Sequence, residues 1–133
     1  MLSPSREASG WVFDRAAVGE CIEACFDCAQ ACLRCADACL SEDRPAELRQ
    51  CIRFDLDCAD VCMATAKILT RASRKDGDGR HPLGLRMLEV CAAYCRGCAE
   101  ECARHAGRHA HCRDCAEACR ACEDACLEAL RAA

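Results

Sequence analysis

The stretch CIEACFDCAQACLRCADAC carries Cys21, Cys25, Cys28, Cys32, Cys35 and Cys39 in steps of four, three, four, three and four. That alternation puts every thiol on one face of an α-helix, at the a and d positions of a bundle. CRDCAEACRACEDAC repeats it with Cys112, Cys115, Cys119, Cys122 and Cys126. Between the two runs lie Cys51, Cys58 and Cys62, then Cys91, Cys95, Cys98 and Cys102, which completes 18 cysteines in 133 residues. Thiols in such a pattern can bind soft metals, form disulfides or pack as small hydrophobes.

Packing alone is a poor account of 18 cysteines, because Cys fills less volume than Leu and would leave a loose core. Disulfides fit no better. Partners three or four residues apart on a helix hold their Cβ atoms about 5–6 Å apart, whereas a disulfide wants roughly 3.5–4.5 Å. The spacing suits sulfur–metal–sulfur. Iron–sulfur ligation usually presents cysteines from tight loops, and structural zinc takes discrete groups of four; here the ladder is unbroken. Cu(I) is satisfied by two or three sulfurs, and one Cu⁺ per thiolate leaves a neutral interior. The reading is therefore many Cu(I) ions per chain, with a zinc- or redox-dependent thiol regulator as the alternative.

Helices must position this ladder. SEDRP (41–45), RKDGDGRHP (74–82) and the region of Gly107 punctuate the chain. They leave helical stretches of about 14–40, 45–73, 82–106 and 108–131, rich in Ala, Leu, Glu and Arg. Short connections make successive helices antiparallel. The expected fold is all-α: an antiparallel four-helix bundle with a cysteine-lined core, one domain over residues 1–133. Asp55 and Thr65 take ladder positions on the second helix, where Asp55 reads as a solvated acid near the helix surface.

Composition narrows the function. The net charge of −4, with acids and bases interspersed, gives no basic patch for nucleic acid. No stretch approaches the roughly 20 apolar residues of a membrane span. The first 20 residues lack the apolar run of a secretory signal, so a cytoplasmic location with reduced thiols is expected. No open metal site with an adjacent general base stands out, and the expectation is a protein that is not an enzyme. The pattern carries no signature of a particular copper donor or acceptor protein.

The two ends of the bundle differ. Toward one, the ladder turns apolar, and Val18, Leu69, Leu88, Leu127 and Leu130, with Met87, can plug the tube. Toward the other, it continues past Cys102 through His105 and His109 to Cys112, which makes these two histidines candidate metal ligands at a mouth. His81 and His111 fall off the ladder and read as surface residues. Met63 and Met87 read as packing rather than thioether ligands.

On CIEACFDCAQACLRCADAC and CRDCAEACRACEDAC, the chain from about 14 to 131 resembles the bacterial copper storage proteins, in their cytosolic branch. The resemblance implies a homotetramer, reversible storage of many Cu(I) ions and a bundle formed before metal arrives. One residue past each a position, the first two helices carry Phe26, Leu33, Leu40, Leu56 and Met63. The last two carry Arg96, Ala103, Arg113 and Arg120, with Leu127. The first pair thus offers a second apolar face suited to another subunit.

Overall fold

The computed structural model describes residues 14–74 and 81–133. Residues 1–13 of the segment read for a targeting signal and most of the glycine-rich connection lie outside the described residues. Four helices follow in order: α1 (Arg15–Leu40), α2 (Arg49–Ala72), α3 (Pro82–His105) and α4 (Ala110–Ala132), with a 3₁₀ turn at Pro45–Leu48 before α2.

Each boundary has a local cause. The Asp14 carboxylate accepts the Ala17 N–H at 2.9 Å and caps α1. Its other end closes where the Ser41 N–H reaches the carbonyls of Asp37 and Ala38. Pro82 takes the first turn of α3, and His81 Nδ1 accepts the Gly84 N–H at 2.8 Å. His81 is therefore a helix cap. Two boundaries differ from expectation. Residues 45–48 wind as a 3₁₀ turn, with the Glu47 N–H bonded to the Arg44 carbonyl, so the second α-helix begins later. α4 starts at Ala110 because His109 is extended (φ −134°, ψ 114°).

The helices form a square ring. α1 packs on α2 and α4, and α3 packs on the same two. Among the described residues the diagonal pairs make no close backbone approach, and sulfurs and the Asp55 carboxylate bridge them. Antiparallel order follows from the contacts: the start of α1 meets the end of α4 through Cys21 and Cys126, and its end meets the start of α4 through Cys35 and Cys112. Arg15 closes one end of the ring, its Nη1 donating to the Ser73 carbonyl at 2.8 Å. Between α2 and α3 the Phe54 ring lies over Gly97, where a Cβ would sit 2.7 Å from Cε1.

All 18 cysteines are fully buried. Beside them run Ala29, Ala36, Ala59, Ala66, Ala92, Ala99 and Ala116, each one residue past a d position and each buried. Among the described residues no helix is long and apolar enough to cross a membrane. Caps, helix-forming composition and core burial all hold without metal. Circular dichroism of reduced, metal-free protein should therefore show a highly helical spectrum that changes little when Cu(I) is added. A coil that gains helix only with copper would contradict this fold.

Candidate metal centre

The thiols form a continuous column. Near the α1 N-terminal end Cys21 meets Cys126 at 3.6 Å, and Cys25 meets Cys122 at 3.6 Å and Cys91 at 3.9 Å. Further along, Cys28 lies 3.6 Å from Cys119 and 4.0 Å from Cys58, and Cys62 lies 3.7 Å from both Cys91 and Cys95. Cys115 then reaches Cys32 at 3.7 Å, and Cys51 meets Cys102 at 3.4 Å. Partners four residues apart touch along the helices, as in Cys28–Cys32, Cys58–Cys62 and Cys115–Cys119 at 3.8–4.0 Å. These separations far exceed a bonded S–S of about 2.05 Å and match two sulfurs sharing one ion.

Groups of four do form, with all ligand atoms within 4.8 Å of one another. They are not discrete. Cys28 and Cys58 belong both to a group with Cys62 and Cys95 and to one with Cys32 and Cys119, and Cys32 and Cys119 recur with Cys98 and Cys115. Shared corners favour ions bridged by common sulfurs over isolated tetrahedral sites.

Asp55 is a correction to the sequence reading: it is fully buried on the column, not solvated. Its Oδ1 accepts from the thiols of Cys115 at 3.3 Å, Cys98 at 3.4 Å and Cys102 at 3.5 Å, and Cys51 approaches Oδ2 at 3.9 Å. Burial, then the neighbouring Cys115 and Cys51 sulfurs, push its carboxyl up to about 9. Asp55 is therefore a neutral acid near pH 7, set between the mouth thiols and the deeper ones. Thr65 is also fully buried, and its hydroxyl donates to the Val61 carbonyl at 2.7 Å, so the hydrogen is satisfied within its own helix.

The column cannot ionise throughout without cations. The Cys119 thiol is the first cause that lowers Cys28 and Cys58, and the Cys122 thiol the first that lowers Cys91, because a neighbouring S–H steadies a sulfur that gives up its proton. Cys32, Cys62, Cys95 and Cys119 are pushed up because they keep the proton that they share with an adjacent sulfur. At the mouth, burial is the first cause that raises Cys39 and Cys112. A thiolate here needs protonated neighbours or a metal ion.

The ends differ as expected in kind and in part by residue. At the closed end Val18, Leu69 and Leu88 are fully buried, with Leu85, while Leu130 and Met87 are part-buried. Leu127 is no plug: it lies one residue past Cys126, on the outer face, and is exposed. Met63 packs against the core as read from the sequence. At the mouth, His105 Nε2 pairs with Glu101 at 3.0 Å and His109 Nδ1 with Glu42 at 3.2 Å. Both line a cleft of about 300 Å³ with Glu42, Glu47 and Leu48. The imidazole that meets the thiols is His111, with Nδ1 3.5 Å from Cys35, 3.6 Å from Cys112 and 3.9 Å from Cys39. The surface reading of His111 is thus corrected. The ladder register does not run unbroken from His105 to Cys112, because the chain turns at residues 106–109 and α4 restarts it. The available signal was that His111 precedes Cys115 by four residues, one helical turn. Glu42, whose carboxyl is held below its usual range first by the His111 hydrogen bond, was not singled out from sequence.

A buried column of thiols walled by four helices, sealed by aliphatic side chains at one end and opening through imidazoles at the other, defines a container for soft metal ions. The chain belongs to the copper storage protein family, whose pattern matches residues 14–131. It is similar to a cytosolic copper storage protein from Streptomyces lividans, solved with five coppers, at 56% identity and a TM-score of 0.81 over 88% of this chain and 94% of that one. A Cu(I)-bound copper storage protein, BsCsp3, aligns at 37% identity and a TM-score of 0.74 over 88% of this chain and 99% of that one. The uncharacterized cysteine-rich protein YhjQ of Bacillus subtilis (strain 168) is 39% identical over 80% of this chain and 89% of its own length.

Asp55 gives a pH prediction. Its folded-state value, near 9 against an ordinary 3.8, means that the folded protein holds this proton longer than the unfolded chain. The associated stability is complete below about pH 4 and is lost as pH rises through about 9. Asp55→Asn removes that loss. Reduced metal-free variant should melt above the parent at pH 8 by about 5–10 °C, with a smaller gap at pH 5. An equal gap at both pH values would contradict the assignment.

Proposed function

We propose that this protein stores Cu(I), with the 18 core thiolates as ligands and without catalysing a reaction. One observation carries the reading: every thiol is fully buried and lies in overlapping groups of sulfurs 3.4–4.0 Å apart. Each incoming Cu⁺ replaces a thiol proton, so the interior stays neutral as it fills. A redox or zinc-dependent regulator would need an exposed, low-pKa thiol, and burial of all 18 supports a store instead. Copper enters past His105, His109 and His111, whose imidazole nitrogens suit Cu(I). The similarity to a cytosolic relative supports storage in the cytoplasm.

Anaerobic titration of the reduced, metal-free protein with chelated Cu(I) tests this. Capacity should approach one copper per cysteine, about 18 per chain. A pH indicator in weak buffer should report about one proton released per copper. Saturation at one to four ions would overturn storage.

The store is further proposed to be a homotetramer built on α1 and α2. Phe26 (40% exposed), Leu33 (49%), Leu40 (60%) and Leu56 (46%) form an outer apolar strip that would otherwise face water. Val90 and Leu127 are exposed on the other pair of helices, so the contrast between the two halves is one of degree. Replacing Phe26 and Leu33 with Lys should give a smaller species in sedimentation velocity with unchanged copper capacity. A parent protein that sediments as a monomer would refute the assembly.

A further inference from the structure

We propose that Glu42 is the positioning residue of the mouth, a reading that rests on His111 lying on the copper route. One oxygen of its carboxylate holds two imidazoles at once and thereby fixes which nitrogen His111 presents to the thiols. Glu42 Oε2 lies 2.9 Å from His111 Nε2 and 3.2 Å from His109 Nδ1. The two rings stack, with centroids 5.2 Å apart and planes 26° from parallel.

The chemistry follows from what each group can donate. An ionised carboxylate only accepts, and a neutral imidazole carries one N–H. The nitrogen facing Glu42 is therefore the N–H in each ring. In the neutral His111 ring this leaves the lone pair on Nδ1, the nitrogen that faces Cys35, Cys112 and Cys39 at 3.5, 3.6 and 3.9 Å. The opposite tautomer would set a lone pair against the carboxylate and turn an N–H toward sulfurs that must take up a cation. Glu42 thus keeps a nitrogen donor ready beside the outermost thiols.

The fold supplies Glu42 from the far side of the mouth. It follows α1 by two residues, in the connection to α2, and its backbone N–H is tied to the Cys39 carbonyl at 3.2 Å. His109 and His111 come from the cap and first turn of α4. The carboxylate therefore spans two connections that lie far apart in sequence.

The test reads the tautomer on reduced, metal-free, ¹⁵N-labelled full-length protein, so it stands apart from copper storage. Long-range ¹H–¹⁵N correlation at neutral pH should show His111 as the Nε2–H form. Glu42→Ala should let the Nδ1–H form appear, and Glu42→Gln, whose amide oxygen can still accept, should restore most of the parent pattern. Stopped-flow uptake of Cu(I) from bicinchoninate should then slow about tenfold in Glu42→Ala, less in Glu42→Gln, with final capacity unchanged. An Nδ1–H tautomer in the parent, or a tautomer indifferent to Glu42→Ala, would overturn the proposal.

Discussion

Sulfur has a short reach, and the rest of the structure depends on that. A cysteine places its Sγ one bond beyond Cβ, so thiols from four helices meet on a common axis only if the backbones come close together. The buried alanines beside the cysteines, Ala29 and Ala36 on α1, Ala59 and Ala66 on α2, Ala92 and Ala99 on α3 and Ala116 on α4, permit that approach. A Leu at those positions would push the helices apart and separate the sulfurs. The expectation that a cysteine core packs poorly assumed ordinary bundle spacing. With alanine in the flanking positions, sulfurs touch at 3.4–4.0 Å even across the diagonals, as in Cys25–Cys91 and Cys62–Cys122.

Such a column is stable as protonated thiols and as metal thiolates, but not as bare thiolates. Weak S–H hydrogen bonds let an individual sulfur ionise against protonated neighbours, and the same contacts oppose ionisation of the next one. Filling is therefore an exchange of protons for a soft monovalent cation. Asp55 obeys the same rule: burial keeps it neutral, and its carboxyl oxygen serves as an acceptor for three thiols.

Direction along the column comes from its ends. Val18, Leu69 and Leu88 offer copper no ligand, so traffic through that end would require opening a packed aliphatic layer. At the other end the helices stop and the connections bring imidazoles and carboxylates together over Cys35, Cys39 and Cys112. Histidine is a weaker partner for Cu(I) than thiolate, which suits residues that pass ions inward. The family membership and the copper-bound relatives agree with a store.

Periodicity made most of this legible before folding. Steps of three and four specify a helix face independently of neighbours, so the bundle, the burial of every cysteine and the exposure of Phe26, Leu33 and Leu40 follow from local spacing. The choice of a soft metal follows from residue type alone. Spacing fails where the helix is interrupted. His105 and His109 were placed on a register extrapolated through a turn, and His111 was set aside by the same count; the start of α4 reset the phase and turned His111 toward the thiols. Asp55 was misread because residue type was allowed to outweigh its position on the ladder. Glu42 had no local signal, since its partners lie about 70 residues away and meet it only when α1 and α4 pack side by side. The sequence by itself determined the helices and the thiol column, because both are repeats within one segment. Tertiary structure decided which nitrogen and which carboxylate guard the mouth, because those contacts join separate segments.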